Sequence, residues 1–203
     1  DVGSQWDVNC YSFYPTKAMT TGEGGMITTQ SSILGDLFRR LRNHGQLLKY
    51  FHAQLGVNGR MTEIAAAIGL AELEQLPGRI EARRRNAAVL QQAVEQVPGL
   101  ILQKPEPESS PSYHQFSVWV DEATLGYSRD EVASRFDEQG IETAVHYPRP
   151  VHLQPCWPRH LDPGPLPVSE RLAAGVLSLP VHQNLTQEQL DYMVDVITRL
   201  KRR

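Results

Sequence analysis

A lysine surrounded by aromatic, small and apolar residues is the first feature of this sequence that could carry out covalent chemistry. Lys17 lies in the stretch SFYPTKAM, residues 12–19. Such neighbours partly remove water from an amine, which favours its neutral, nucleophilic form and suits it to Schiff-base formation with a carbonyl compound. Ser12, five residues earlier, offers a hydroxyl that could donate to a phosphate group. The residues themselves leave open a simpler alternative, a surface lysine whose amine extends into water.

A proline-rich stretch in the second half of the chain is the next candidate site. His146 and Tyr147 precede residues 148–167, which contain seven prolines mixed with tryptophan, leucine and histidine. This composition predicts a well-fixed loop rather than a linker, and we expect it to line a pocket bordered by His146 and Tyr147. The spacing of His146, His152 and His182 fits no zinc pattern, so the sequence predicts no metal site.

Composition excludes several classes of protein. The chain has 203 residues, 40% of them hydrophobic, and a formal net charge of −3, without the basic, aromatic-rich run of a nucleic-acid surface. It has no apolar segment long enough for a bilayer and begins without the pattern of a signal peptide, which predicts a cytoplasmic protein without a membrane partner. Cys10 and Cys156 are too few for a disulfide framework, so both are predicted to be reduced thiols.

The elements that carry Lys17 are predicted first as a strand, a turn and a strand over residues 10–29. The glycines of TGEGG are interpreted as turn residues that supply positive φ. A helix is expected to begin at Ser31 or Ser32 and to end before Gly45. An alanine-rich helix follows, which we expect Thr62 to cap and residues 77–78, Pro-Gly, to stop.

A separate helix is predicted from about residue 79 to residue 96. Its expected inner face consists of Ile80, Ala87, Leu90, Val94 and Val97. The neighbouring arginines Arg83, Arg84 and Arg85 are interpreted as a solvated helix face.

Beyond residue 99 the pattern changes to short strands and capped helices, which predicts a second unit of α+β type. Strands are expected at QFSVWV and IETAVHY, residues 115–120 and 141–147. Ser128 and Glu131 predict a capping box for a helix through Phe136 that Gly140 ends. The last helix is expected to begin at Thr186 and Gln189 and to bury Leu190, Met193, Val194, Ile197 and Leu200.

Several ordered blocks of the sequence resemble the DegT/DnrJ/StrS family of sugar aminotransferases, which are fold-type I enzymes of pyridoxal 5'-phosphate (PLP). These blocks are SFYPTK with TTGEGGMITT, LRNHG, GVNGRMTEIAAAIGLAELEQL, GIETAVHYPRPVHLQP and LSLPVHQNLTQEQLDYMVDVI. The resemblance implies an α/β, aspartate aminotransferase-like fold. Residues 1–78 would be the C-terminal part of the PLP-binding large domain, and residues 79–203 the connecting helix and an α+β small domain.

The resemblance also implies roles for individual residues. Lys17 matches the lysine that forms the Schiff base with PLP and later moves a proton, and Ser12 matches a serine that contacts the PLP phosphate. Asn58 matches an asparagine that reaches the PLP phosphate of the neighbouring subunit, which implies a homodimer with shared active sites. His146 and Tyr147 would border the substrate pocket. Gly59 stands where the family commonly has an aromatic residue, which leaves the path of this loop open.

The implied reaction transfers an amino group from an amino acid, expected to be glutamate, to a keto-sugar, expected to be nucleotide-linked. The family places the carboxylate for the pyridine nitrogen and the ring-stacking aromatic before Ser12. We therefore expect this sequence to be the C-terminal portion of such an enzyme and to be inactive alone. The alternatives are a non-catalytic remnant or interaction module of the same fold, and a PLP-dependent sugar dehydratase, in which histidine replaces the lysine.

Overall fold

A computed structural model describes residues 6–200. The chain divides into two compact units, Asp1–Gly78 and Arg79–Arg203. Their assignment to a large and a small domain stays a prediction. Within the described range, no helix combines the length and the apolar composition needed to cross a bilayer.

The first unit begins with the predicted strand, turn and strand. Strand β1 (Val8–Ser12) and strand β2 (Gly25–Thr29) form an antiparallel pair in which Ser12 is opposite Gly25. Helix α1 (Ser32–Leu41) follows, and the Ser31 hydroxyl accepts its N-cap hydrogen bond from Leu34 N. Strands β3 (Gln46–Leu48) and β4 (Phe51–His52) form a second, short hairpin.

Glycine is required for two different reasons in the turn between β1 and β2 and at the first residue of β2. Gly22 and Gly24 have φ angles of +80° and +146°, which L-residues rarely adopt. At Gly25 the φ angle is ordinary, but a Cβ atom there would lie 2.8 Å from the carbonyl oxygen of Tyr11. The prediction that the glycines of TGEGG supply positive φ is confirmed for Gly22 and Gly24 and wrong for Gly25, which begins β2 and is required there for the close approach of Tyr11 O.

Helix α2 (Glu63–Val94) is continuous over 32 residues and contains Pro77, so the prediction that residues 77–78 separate two helices is wrong. The predicted N-cap is confirmed, because Thr62 Oγ1 accepts from Ala65 N at 3.1 Å. A proline inside a helix removes one hydrogen bond and costs about 3 kcal/mol. The C-terminal half of α2 buries Leu90 and Val94 completely, and this packing stabilises the helical turns beyond the proline.

The second unit is built on a three-stranded antiparallel sheet in the order β5-β6-β7. These strands are β5 (Leu100–Leu102), β6 (Phe116–Val120) and β7 (Val176–Leu179). The helices are α3 (Glu122–Leu125), α4 (Arg129–Glu138), α5 (Pro167–Gly175) and α6 (Gln187–Thr198). Single 3-10 turns lie at Val151–Leu153 and Arg159–Leu161.

One face of this sheet forms the hydrophobic core. Phe116, Val118 and Val120 of β6 are each at most 3% exposed, whereas Ser117 and Trp119 belong to the opposite face. The core also contains residues of α2, α4 and α6, namely Leu90, Val94, Val132, Phe136, Leu190, Met193 and Ile197. The capping boxes at Ser128 and Thr186, both predicted, are present. The predicted stripe on α6 is confirmed, with Val194 only partly buried.

The prediction of a strand over residues 141–147 is wrong. Only Ala144 pairs there, in an isolated bridge to Ser178 with backbone hydrogen bonds of 2.8 and 3.1 Å. Ile141 is buried in the core, but His146 and Tyr147 are exposed. The chain therefore touches the sheet at one residue and leaves it before the prolines, which cannot donate ladder hydrogen bonds.

The interpretation of three solvated arginines holds only for Arg85, which is exposed and lies 3.7 Å from Glu81. Arg83 is 7% exposed and donates hydrogen bonds to the carbonyl oxygens of Tyr113 and His114. Arg84 donates to the carbonyl oxygens of Pro111 and Ser110. Arg83 is buried because it precedes Ala87 and Leu90 at helical spacing on the same inner face.

Candidate active-site residues

Lys17 lies in the loop between β1 and β2 and is half-buried. Backbone hydrogen bonds fix this loop: Phe13 N donates to Gly24 O at 2.9 Å, and Lys17 N donates to Tyr14 O at 3.0 Å. A third bond of 3.1 Å runs from Thr21 N to Phe13 O. Because Phe13 is buried and accepts from the far side of the loop, the backbone at Lys17 is held in a closed turn.

Side chains and helix α2 add further support to the same loop. Thr20 Oγ1 donates to Phe13 O at 3.0 Å, and Thr20 N donates to Glu72 Oε2 of α2 at 3.4 Å. A Cβ atom added to Gly69 of α2 would lie 3.1 Å from Thr21 Cγ2, so the helix and the loop approach closely there. The N-terminal half of α2 thus positions the loop that carries the lysine.

Ser12 is the last residue of β1 and is exposed. Its Oγ accepts a long hydrogen bond of 3.4 Å from Tyr14 N. That bond uses an oxygen lone pair, so the hydroxyl hydrogen can be donated to an outside acceptor such as a phosphate oxygen. The structure therefore places Ser12 at the entrance of the loop that contains Lys17.

Asn58 lies on a separate segment of the first unit, which runs beside the end of α1. It forms a backbone bridge with Asn43, and Gly59 N donates to Arg42 O at 2.8 Å. Arg60 Nη1 donates to Asn43 Oδ1 at 2.6 Å. The path of this loop is therefore fixed although glycine occupies position 59, and the Asn58 side chain is exposed on it.

His146 and Tyr147 lie in the second unit, where they line a pocket of about 1180 Å³ on the sheet face opposite the core. Their rings meet edge to face with centroids 5.5 Å apart. The proline-rich stretch contributes Pro150, Val151, His152, Trp157 and Pro163 to the lining. The stretch lines a pocket, as its composition predicted, whereas a substrate role for His146 and Tyr147 stays a prediction.

Trp119 and Arg171 also line this pocket, and the sequence reasoning missed both. Trp119 Nε1 donates to Arg171 O at 3.0 Å, and the Arg171 guanidinium carbon lies 5.8 Å from the indole centroid. A signal for Trp119 exists, since strand alternation places it opposite the buried Val118 and Val120. No comparable signal marks Arg171, which lies on a helix that the sequence reasoning did not predict.

A side-chain hydrogen bond joins the proline-rich stretch to α5. His152, whose side chain is 5% exposed, places Nε2 at 3.2 Å from Glu170 Oε1. The same oxygen accepts from Leu166 N at 2.8 Å. The hydrogen bond from Leu166, and then that from His152, lower the pKa of the Glu170 carboxyl. The wall of the pocket therefore contains a carboxylate, that of Glu170, which links the proline-rich stretch to α5.

Other titratable groups do not form a further site in the part of the chain that the structure describes. Cys10 and Cys156 are exposed, free thiols there, as predicted. Across residues 6–200, no group of three histidine, cysteine or acidic side chains could hold a metal ion.

The comparison with known proteins identifies the family of the chain. A model of the DegT/DnrJ/EryC1/StrS aminotransferase family matches residues 1–198. A Geobacillus stearothermophilus protein named pleiotropic regulatory protein is 37% identical over 203 residues, which are 99% of this chain and 54% of that protein. The dTDP-3-amino-3,4,6-trideoxy-alpha-D-glucose transaminase of Streptomyces venezuelae is 36% identical over 201 residues, with coverage of 97% and 51%.

A solved structure extends the similarity to the fold. The crystal structure of a DegT DnrJ EryC1 StrS aminotransferase from Brucella abortus superimposes with a TM-score of 0.85 at 31% identity, over 94% of this chain and 50% of that one. The chain spans about half the length of the curated relatives it matches. The resemblance noted in the sequence is confirmed, and the chain belongs to the DegT/DnrJ/EryC1/StrS aminotransferase family, with the fold of half of such an enzyme.

Proposed function

We propose that this chain is part of a PLP-dependent aminotransferase that moves an amino group from an amino acid, glutamate, to a nucleotide-linked keto-sugar. The observation that carries the proposal is the placement of Lys17, half-buried on a hydrogen-bonded loop that begins at Ser12. The name of the Streptomyces venezuelae relative, a dTDP-sugar transaminase, supports the substrate class.

The donor groups of the first unit fit PLP. Lys17 supplies an amine for the aldehyde, and Ser12 supplies a hydroxyl for the phosphate at the entrance of the same loop. When bound, PLP supplies an electron-withdrawing ring that stores the electron pair of a broken C–H bond. The Lys17 amine would hold the cofactor covalently, and once the incoming substrate amine has displaced it, Nζ would accept a proton from the substrate carbon and return it. The fixed loop keeps Nζ near that carbon.

Asn58 supports a homodimer with shared sites. Its side chain is exposed beside Leu55 and Val57, which are 95% and 67% exposed. The β3–β4 hairpin adds Leu48 and Phe51, which are 69% and 59% exposed. Exposed apolar surface of this kind is typical of a protein interface, and a second copy of the chain would cover it. In that dimer the Asn58 carboxamide donates to the PLP phosphate of the partner subunit.

The dehydratase alternative is not favoured, because position 17 is lysine and the Streptomyces venezuelae relative is named a transaminase. A non-catalytic module of the same fold has no need of the amine of Lys17. Transamination requires the amine of Lys17, whereas the dehydratase and the non-catalytic module do not. The effect of replacing Lys17 therefore distinguishes transamination from both alternatives.

The test is amino transfer from glutamate to a nucleotide-linked keto-sugar by the complete enzyme of which this chain is part, in the presence of PLP, measured as the formation of 2-oxoglutarate. Lys17→Ala should lower the rate by about a thousandfold or more, because the covalent anchor and the proton carrier are lost together. Lys49→Ala is the matched control, since Lys49 is an exposed lysine of the same unit. Equal rates for the two variants would refute the proposal.

A further inference from the structure

We propose that the pocket of the second unit binds the nucleotide part of the substrate, with the base stacked on its tryptophans and the diphosphate held by its arginines. This inference rests on the proposed function, because it assigns a part of the nucleotide-linked sugar to a site. It adds Trp119, Arg149, Trp157 and Arg171 to the substrate-binding residues; the sequence analysis expected the stretch that contains Arg149 and Trp157 to line a pocket but assigned none of the four to the substrate.

The size of the pocket is the first argument. Its volume is about 1180 Å³, whereas pockets for drug-sized ligands measure roughly 300–1,000 Å³. An amino acid such as glutamate would leave most of this space to water. A nucleoside diphosphate, with a sugar beyond it, matches the volume better.

The aromatic lining is the second argument. Trp119, Tyr147 and Trp157 all line the pocket. Trp119 Nε1 donates to Arg171 O at 3.0 Å, and Trp157 Nε1 donates to Leu161 O at 3.1 Å. Because backbone carbonyls already satisfy both indole N–H groups, the rings are held in place. The Arg171 guanidinium carbon lies 5.8 Å from the Trp119 ring centroid, beside one face of that indole, so the flat face of Trp157 is the main remaining stacking surface. Flat aromatic faces bind nucleobases by stacking, whichever base is present.

The charge of the lining is the third argument. Arg149 and Arg171 line the pocket together with His146 and His152. Among the described lining residues none is acidic. The neighbouring carboxylate of Glu170 already accepts hydrogen bonds from His152 and from Leu166 N. A diphosphate is the part of the substrate that the two guanidinium groups, Arg149 and Arg171, would recognise.

The ligand tests use nucleoside diphosphates without a sugar, so that no reaction takes place. UDP, dTDP and GDP are titrated into the purified protein and followed by calorimetry and by tryptophan fluorescence. Uridine and glutamate serve as comparison ligands, the first without phosphate and the second without an aromatic ring. We expect the diphosphates to bind more tightly than uridine and to quench fluorescence, and we expect glutamate not to compete with them.

Variants identify the pocket. Arg149→Gln should weaken binding of the diphosphates about tenfold or more and should affect uridine little, because a charge-assisted hydrogen bond is lost. Trp157→Leu should weaken all nucleoside ligands roughly five- to a hundredfold, whereas Trp157→Phe should retain most of the affinity. Arg159→Gln is the control, since Arg159 is exposed on the same stretch and does not line the pocket.

The outcomes separate this inference from the proposed function. Diphosphate binding should persist in Lys17→Ala, because Lys17 does not line the pocket. Diphosphate binding that is unchanged in Arg149→Gln, or displaced by glutamate, overturns the inference whatever the PLP chemistry shows. If Trp157→Leu fails to fold, nucleoside diphosphate binding by Arg149→Gln and Trp157→Phe still tests the inference. Intact nucleotide binding without any attachment of PLP to Lys17 would instead support the pocket and overturn the proposed function.

Discussion

The guanidinium of Arg83 on α2 donates a hydrogen bond of 3.1 Å to the carbonyl oxygen of Tyr113, which precedes β6. Its Nε donates at 3.1 Å to Gln183 Oε1, beyond the end of β7. Asn86, one turn later on α2, donates to His182 O at 2.8 Å. A buried polar cluster therefore joins the long helix to the segment that enters β6 and the segment that leaves β7, which lie at the same end of this antiparallel pair, beside the apolar core.

The first prediction concerns this cluster. Arg83→Leu should lower the free energy of unfolding by about 1–3 kcal/mol, because buried carbonyl oxygens of Tyr113 and His114 lose their donor. Arg85→Leu, on the exposed side of the same turn, should change it by less than about 0.5 kcal/mol. Urea denaturation measures both values. Similar effects for the two variants would show that the buried contacts do not stabilise the fold.

A second prediction concerns the proline within α2. Pro77→Ala restores a backbone N–H that can donate to Leu73 O and removes the crowding by the proline ring. Amide hydrogen exchange between residues 73 and 81 should therefore slow in this variant, with unchanged exchange in β6. The boundary between the two compact units, after Gly78, lies within this stretch. Faster exchange would mean that the helix depends on the proline.

The third prediction is a pH dependence that involves Glu170. Its pKa is lowered from 4.5 in the folded protein, so its ionised form stabilises the fold above that value. This stabilisation is lost as the pH falls below 4.5 through the lowered pKa. The melting temperature of Glu170→Gln should lie below that of the wild type at pH 6, and this difference should shrink as the pH falls below 4.5. Glu142→Gln, an exposed control, should change the melting temperature less. A difference between Glu170→Gln and the wild type that stays constant with pH would show that the ionised Glu170 carboxylate does not stabilise the fold.

A fourth prediction tests the shared active site. Lys17→Ala and Asn58→Ala chains, each inactive or weak alone, should regain activity when they are unfolded together and allowed to form mixed dimers. In a mixed dimer one site combines the intact Lys17 with the intact Asn58, so a random mixture should reach about a quarter of the wild-type rate. No recovery, with mixed dimers demonstrated by mass spectrometry, would show that Asn58 does not act across the interface.

Sequence reasoning succeeded where a local pattern determines the structure. The capping boxes at Ser128 and Thr186 need only residues three positions apart, and the alternation of β6 is visible within five residues. The closed turn around Lys17 follows from glycines whose positive φ angles no other residue adopts easily.

Sequence reasoning failed where contacts between residues far apart in the chain determine the structure. Burial of Arg83 depends on carbonyl oxygens thirty residues away, which no local pattern shows. Residues 141–147 have the composition of a strand, yet only Ala144 finds a partner, since the prolines that follow direct the chain away from the sheet. The pocket likewise combines Trp119 and Arg171, which are 52 residues apart, and no local pattern indicates that they lie together.

Covalent attachment of PLP tests the central claim most directly. The protein is incubated with PLP, reduced with borohydride and digested, and the modified lysine is identified by mass spectrometry. We predict that the label is on Lys17, that Lys17→Ala loses it, and that Lys49→Ala retains it at Lys17. A label on another lysine, or equal labelling of Lys17→Ala and the wild type, would contradict the assignment of Lys17 as the residue that holds the cofactor.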